Sequence, residues 1–283
     1  MRDQGKLPRV LLVRPPIYSK TLDYPAGPRF GLPVGLLYLA AYLQQQGIDV
    51  HIYDALVDFR WDELHRNERG HYHIGATWPR MVQRVLEHRP DIIGIANPFS
   101  DMTDYTLRTA TEIKAARADV LIVVGGPHAT ACPEHFLSDG GPVDFVVRGE
   151  GEKIFHDLIL AHATGVSTQS LPGVSYCTGA DVRSNPPAPF IADLDNLPLP
   201  AYSLVPMSRY FELARVYPSR FTFEYPGSER EVSIITSRGC PFKCVFCGNH
   251  LHMGRRWRYH SVAYVLSHME LLVDRYDVRH FHI

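Results

Sequence analysis

The chain has 283 residues, of which 45% are hydrophobic and 21% charged, and its formal net charge is −1. That length admits more than one domain, and the composition supplies a substantial core. The charge balance gives no electrostatic reason to expect bulk nucleic-acid or anionic-membrane binding. Met1 to Pro8 is mainly polar, and the apolar run that follows, Val10 to Val13, is too short for a signal peptide or a membrane span. Five cysteines, three of them clustered, read as metal chemistry in a reducing compartment, so a cytoplasmic location is expected.

Arg9 to Val13 is an apolar run of the kind expected of a buried parallel strand, and Pro15-Pro16 ends it. A Gly/Pro-punctuated loop runs to about Pro33. Val34 to Gln46 is predicted as a helix, with Leu36, Leu37, Leu39, Ala40 and Leu43 as its apolar positions and Gly47 as its stop. Strands are predicted at Asp49 to Tyr53, Asp91 to Ala96, Asp119 to Val124 and Asp144 to Arg148. Helices are predicted at Trp78 to His88, at Thr103 to Ala116 and from Gly151 to about His162. Strands that are nearly all apolar and alternate with helices predict an α/β fold, a doubly wound parallel sheet of the Rossmann or flavodoxin type covered on both faces.

Ligands of such sheets sit at the carboxyl ends of the strands. Pro15-Pro16, Asn97-Pro98-Phe99-Ser100, Gly125-Gly126-Pro127-His128 and Gly149-Glu150-Gly151-Glu152 all collect there. A nicotinamide dinucleotide is set aside, because no G-x-G-x-x-G follows the first strand and Asp54 alone is weak support.

Val174 to Arg183 reads as a hairpin turning at Thr178 to Asp181. Asn185 to Pro206 holds six prolines in 22 residues, which makes it a semi-rigid strap rather than a floppy linker. Tyr210, Phe211, Tyr217, Phe221, Phe223 and Tyr225 are expected to pack an inter-domain seam. A strand-like run, Val232 to Thr236, then delivers a loop from Ser237 to Gly248 with Cys240, Cys244 and Cys247 at spacing C-x3-C-x2-C. Thiolates this close cannot all pair as disulfides, but they can converge on one metal centre, and soft sulfur ligands suit an iron–sulfur cluster or zinc. A cubane cluster held by three cysteines leaves one iron free for a small molecule. A closed zinc site would add His250 or His252 as fourth ligand.

Val262 to Tyr276 is predicted as an amphipathic helix and Arg279 to Ile283 as the next strand. Cys132 and Cys177 stand alone and read as small buried hydrophobes. Arg255-Arg256-Trp257-Arg258 reads as a solvated face or a seam with the first domain rather than an RNA contact.

C-x3-C-x-aromatic-C after a strand, with Phe246 as the aromatic, resembles the signature of the radical S-adenosylmethionine (SAM) enzymes. The resemblance extends over essentially the whole chain. Gly35 to Leu43, Gly125 to Thr130 and Arg148 to Glu152 are similar to the cobalamin-binding domain that precedes the barrel in one large branch of that family.

The resemblance implies a [4Fe–4S] cluster on Cys240, Cys244 and Cys247, with Phe246 and Gly248 bordering the SAM adenine. It also implies cobalamin contacts around Asn97, Pro98, Ser100, Gly125, Gly126, Pro127, His128, Gly149 and Glu150. The D-x-H-x-x-G motif is absent after Val13, so no histidine of that loop is expected to ligate cobalt, and His128 reads as a neighbour of the corrin or a solvent-facing histidine rather than a cobalt ligand.

The implied organisation is a cobalamin-binding-like domain over residues 1–170, a hairpin and strap over 171–230, and the start of a (β/α) radical SAM barrel over 231–283. The chain is expected to leave that barrel incomplete. The implied activity is methylation of an unactivated carbon of a small-molecule substrate, with electrons supplied by a flavodoxin or ferredoxin, and without nucleic acid. An oxidative cyclase with the same cofactors, and a cobalamin-binding carrier or sensor with a structural zinc site, are the alternatives.

Overall fold

The computed structural model describes residues 7–23, 28, 30–216 and 230–283. Tyr217, Phe221, Phe223 and Tyr225, four of the aromatics expected at the seam, lie outside the described residues. The chain runs through β1 (Val10–Arg14), β2 (Ile17–Ser19), α1 (Val34–Gln45), β3 (Val50–Asp54), β4 (His65–Arg66), β5 (Tyr72–Ile74), α2 (Trp78–Glu87) and β6 (Ile92–Ala96). It continues through α3 (Thr103–Ala116), β7 (Leu121–Gly125), α4 (Pro127–Ala131), β8 (Phe145–Val147), α5 (Gly151–Thr164), β9 (Val174–Thr178) and β10 (Asp181–Ser184). The last part holds α6 (Met207–Val216), β11 (Glu231–Ser233), β12 (Ser237–Arg238), α7 (Asn249–His252), β13 (Arg258–Tyr259), α8 (Val262–Tyr276) and β14 (His280–His282).

Alternation along β1 explains the layering. Val10 and Leu12 pack into one apolar layer and Leu11 and Val13 into the other, and all four are fully buried. Leu36 and Leu37 of α1 and Ile154 and Leu158 of α5 complete the first layer. Met81 and Val85 of α2 and Ala110 and Ile113 of α3 complete the second. A sheet buried on both faces is the reason its strands read as continuous apolar runs. Parallel pairing gives the order β3-β1-β6-β7-β8, with Val13 beside Tyr53 on one side and Ile95 on the other.

The structure adds features the sequence pattern did not show. The hairpin β9–β10, expected as part of the connection, pairs antiparallel onto β8, so the parallel sheet gains an antiparallel edge. The strands β2, β5 and β4 form a small antiparallel sheet, where β2 falls in a stretch predicted as loop.

The strand expected to feed the cysteine loop is divided. Its first part, β11, pairs parallel with β14, and its second, β12, pairs antiparallel with β13. Val232, Ile234, Leu272 and Val278 share a core with α1, α5, Tyr210 and Phe211, so one apolar interior joins the cysteine-bearing segment to the sheet. From the strap, Leu194 and Leu197 are buried against Tyr38. Among the described residues no helix is long and apolar enough to cross a membrane.

Candidate functional site

In the order β3-β1-β6-β7-β8 the chain reverses direction across the sheet between β1 and β6, and the crevice beyond their carboxyl ends is where such sheets bind ligands. A cavity of about 380 Å³ lies there. Of the residues singled out from the sequence, Asn97, Pro98, Gly125, Gly126, Pro127, Gly149 and Glu150 line it. Ser100 and His128 are not among the lining residues. Ser100 Oγ lies 2.8 Å from His128 Nδ1, and His128 Nε2 lies 3.1 Å from His135 Nδ1. Burial and the neighbouring His135 hold the His128 imidazole below its ordinary range.

Gly126 shapes the wall. Its backbone sits at φ +121°, and a Cβ there would collide with the carbonyl of Asn97. The Asn97 N–H donates to the Gly125 carbonyl at 2.8 Å, and Nδ2 donates to Thr106 Oγ1 at 2.9 Å. Asn97 Oδ1 is buried with no hydrogen-bond partner.

The roof of the cavity was not foreseen. Ile235, Arg238, His252 and Met253, from the segment that carries the cysteine loop, line the cavity together with the strand ends. Burial pushes the His252 imidazole below its ordinary range against the pull of Glu152 and Glu150, and its Nδ1 is buried without a partner. Mostly apolar walls with a few convergent polar atoms suit a large amphiphilic ligand. Asn97 and His252 line the cavity and each holds a buried polar atom, Oδ1 and Nδ1, that has no hydrogen-bond partner, so the residues present fit a mainly apolar ligand with a few polar groups.

Four buried charges tie roof to wall. Arg238 Nη1 donates to Glu150 Oε1 at 3.1 Å, and Nη2 donates to Glu152 Oε1 at 2.7 Å. Arg258 Nη1 donates to Glu150 Oε2 at 2.8 Å, and the Ile191 N–H donates to the same oxygen at 2.7 Å. These four side chains are 2–7% exposed. Burial opposes the charge on Arg238, yet Glu152 and Glu150 together hold its guanidinium above its ordinary range. Glu150, expected at the cobalamin, therefore stands on the cavity wall with its carboxylate engaged by two arginines. Arg258 is the buried seam residue of its basic run, while Arg255, Arg256 and Trp257 are exposed. The sequence signal was present in Glu150 and Glu152 at a strand end and in an arginine on either side of the cysteines, but no spacing rule pairs residues so far apart in sequence.

Arg238 directly precedes the loop that it anchors. Gly239 follows at φ +85°, where a Cβ would collide with the carbonyl of Arg256. The Cys240 N–H donates to the Gly254 carbonyl and the Cys247 N–H to the Cys244 carbonyl, each at 3.2 Å. All three cysteines are free thiols; Cys240 and Cys247 are half-buried and Cys244 is exposed. Phe246, expected at the SAM adenine, is 89% exposed, and Gly248 leads into α7.

His250 Nδ1 lies 3.0 Å from the Cys247 carbonyl, and His252 faces the cavity. Neither candidate for a fourth zinc ligand is thus committed to the thiols. Three soft donors on one loop are the ligand type of a cluster that keeps a position open. Cys177 packs against the second apolar layer, as its reading as a small hydrophobe expects, though it is only partly buried, whereas Cys132 departs from that reading. Both are half-buried, and Cys132 Sγ lies within 4.8 Å of ring nitrogens of His128 and His135.

A flavodoxin-ordered sheet whose switch-point cavity is roofed by residues on either side of a three-cysteine loop defines an α/β ligand-binding fold. The B12-binding domain family matches residues 29–159 of the chain. The chain is 35% identical over 277 residues to an uncharacterized methyltransferase of Pyrococcus horikoshii, spanning 97% of this chain and 52% of that protein. To the cytidylyl-2-hydroxyethylphosphonate methyltransferase of Streptomyces wedmorensis it is 29% identical over 298 residues, spanning 97% of this chain and 54% of the relative. In fold it is similar to the radical S-adenosylmethionine methyltransferase TsrM from Kitasatospora setae, with a TM-score of 0.64 at 23% identity over 94% of this chain and 45% of that one. The chain spans about half the length of the curated relatives it matches.

Proposed function

We propose that the protein is a cobalamin-dependent radical SAM methyltransferase that places a methyl group on an unactivated carbon of a small-molecule substrate. The observation that carries this reading is the shared chamber, in which strand ends of the B12-binding domain form the walls and residues flanking the cysteine loop form the roof. When bound, the cluster with SAM supplies a carbon radical able to take hydrogen from an unactivated carbon, and cobalamin supplies the methyl group.

The chain's own work is positional. Asn97, Pro98, Gly125, Gly126, Pro127 and Gly149 would receive the corrin and its tail, and Cys240, Cys244 and Cys247 would hold the cluster. Phe246 and Gly248 would border SAM. The Arg238–Glu150–Glu152–Arg258 network holds the loop at a fixed height over the sheet, which matters because small displacements of reacting groups cost large factors in rate. In this reading residues 1–170 carry cobalamin, 171–230 set the spacing and 231–283 carry the cluster. The exposed Cys244 side of the loop is open to a reductant such as flavodoxin or ferredoxin.

Anaerobic reconstitution of the whole enzyme with iron, sulfide, cobalamin and SAM is the test. Release of 5′-deoxyadenosine together with a product heavier by one methylene supports the reading. A product that loses hydrogen without gaining carbon moves it to an oxidative cyclase. A chain that binds zinc without iron, and releases no 5′-deoxyadenosine, would sink it in favour of a carrier or sensor.

A further inference from the structure

His128, Cys132 and His135 stand beside the cavity rather than on its wall, and the function proposed above uses none of them. The turn of α4 brings Cys132, four residues after His128, back alongside it, and the 3₁₀ turn Pro133–His135 returns a second imidazole to the same place. The three ligand atoms all lie within 4.8 Å of one another. His128 Nε2 and His135 Nδ1 are 3.1 Å apart. A tetrahedral ion with metal–nitrogen bonds of about 2.0–2.1 Å would set two such nitrogens roughly 3.3 Å apart. The ligand atoms are therefore already close to the spacing a bound ion requires.

A further contact prepares the set. Ser100 Oγ, 2.8 Å from His128 Nδ1, can accept the proton on that nitrogen and leave the lone pair of Nε2 facing His135 and Cys132. A partner on the far nitrogen that fixes the tautomer is what metal-bound histidines almost always have.

We propose that His128 Nε2, Cys132 Sγ and His135 Nδ1 form a second metal site that takes a zinc ion, with its fourth position open to water. Two imidazoles and one thiolate select a borderline-soft divalent ion over magnesium or calcium, which want oxygen ligands. A single thiolate is too few to hold an iron–sulfur cluster. Zinc binding releases the Cys132 thiol proton to solvent. The ion ties α4, which packs against α7 at the exit of the cysteine loop, to Ser100 beyond the end of β6. It therefore steadies the wall and the roof of the cavity from outside. The inference rests on these side chains alone and stands whether or not the proposed reaction is correct.

Cobalt(II), which reports thiolate ligation and tetrahedral geometry in its absorption spectrum, is the probe. The full chain with Cys240, Cys244 and Cys247 replaced by alanine, stripped of metal and titrated anaerobically, is expected to bind one equivalent. It should show a thiolate charge-transfer band and tetrahedral ligand-field bands, all displaced by zinc. Cys132→Ala in that background removes the charge-transfer band, and Ser100→Ala weakens binding roughly tenfold. Absence of a tetrahedral cobalt spectrum, or an unchanged spectrum in Cys132→Ala, overturns the proposal. If the triple variant is unfolded by circular dichroism, zinc is counted instead in the cluster-loaded chain. One zinc per chain that is lost in Cys132→Ala supports the site, and zinc content equal in the two proteins refutes it.

Discussion

At Gly126 the backbone adopts a φ of +121° against the Asn97 carbonyl, so a side chain would meet both conformational strain and a collision. Strain of this kind costs about 1–3 kcal/mol per residue. Gly126→Ala should lower stability by that order and weaken cobalamin binding, because Asn97 and Gly126 share one wall. Thermal unfolding and an absorbance titration with hydroxocobalamin check the two effects separately, and the same values in variant and wild type would discard this account of the wall. Glu150 presents a different residue-scale problem. Its carboxylate is 2% exposed between Arg238 and Arg258, so removing it leaves Arg258 without a carboxylate partner and Arg238 with Glu152 alone in a dry site. Breaking a buried pair in this way costs about 3–5 kcal/mol, far more than an exposed pair contributes. Glu150→Ala should lose that much in urea unfolding, and Arg258→Met in the same chain should recover part of it. Additive losses in the double variant would mean that the two residues are not coupled.

The helix α8 docks through a buried polar contact that responds to pH. His268, 1% exposed, has its Nε2 2.8 Å from Tyr202 Oη in the strap, and burial followed by the nearby His260 lowers its pKa from 6.5 to about 4. Because the folded value lies below the unfolded one, the unfolded chain gains a proton first. The stabilisation is complete above about pH 6.5, is lost as pH falls toward 4, and changes no further below that. The size is on the order of 3 kcal/mol. His73, also lowered to about 4 by burial, acts in the same direction at the β5 sheet. Urea midpoints measured from pH 7 to pH 4 should fall, and His268→Gln should flatten part of that slope. An unchanged slope in the variant would assign the loss to other groups.

Elements of this kind were legible to very different degrees. The helices α3 and α8 have the boundaries read from the sequence, because long apolar periodicity needs no tertiary context. The strands of β2, β4 and β5 are two or three residues long, so no periodicity announces them. The hairpin β9–β10 was legible as a hairpin, but its pairing onto β8 was not, because edge pairing depends on where β8 is left exposed. For the site, motif glycines and cysteines could be read in sequence. Arg238, His252 and Arg258 could not be assigned, since their partners lie on the other side of the fold.

At the scale of the molecule, one apolar core runs from α1 and α5 through Tyr210 to Val232 and Leu272, so the sheet and the cysteine-bearing segment do not move as independent bodies without opening that core. The cavity extends this continuity to ligands, because β12 and α7 bracket the cysteine loop and also supply Arg238 and His252 to the roof. Ordering the loop around a metal cluster should order the roof as well, and a ligand held between roof and wall should order the loop in return. Such coupling between two sites is reciprocal and typically amounts to about 1–3 kcal/mol. Loading the cluster should therefore tighten cobalamin binding roughly fivefold or more. Replacing Cys240, Cys244 and Cys247 by alanine should abolish the gain while leaving the sheet folded. Cobalamin titrations of the cluster-loaded chain, the cluster-free chain and the alanine variant give the factor. Hydrogen exchange across 238–254, with and without cobalamin, reads the same coupling from the other side. Equal affinities in all three proteins, with exchange in that loop indifferent to cobalamin, would show that the roof is rigid before any ligand arrives, and that the buried charges around Glu150 are enough to hold it there.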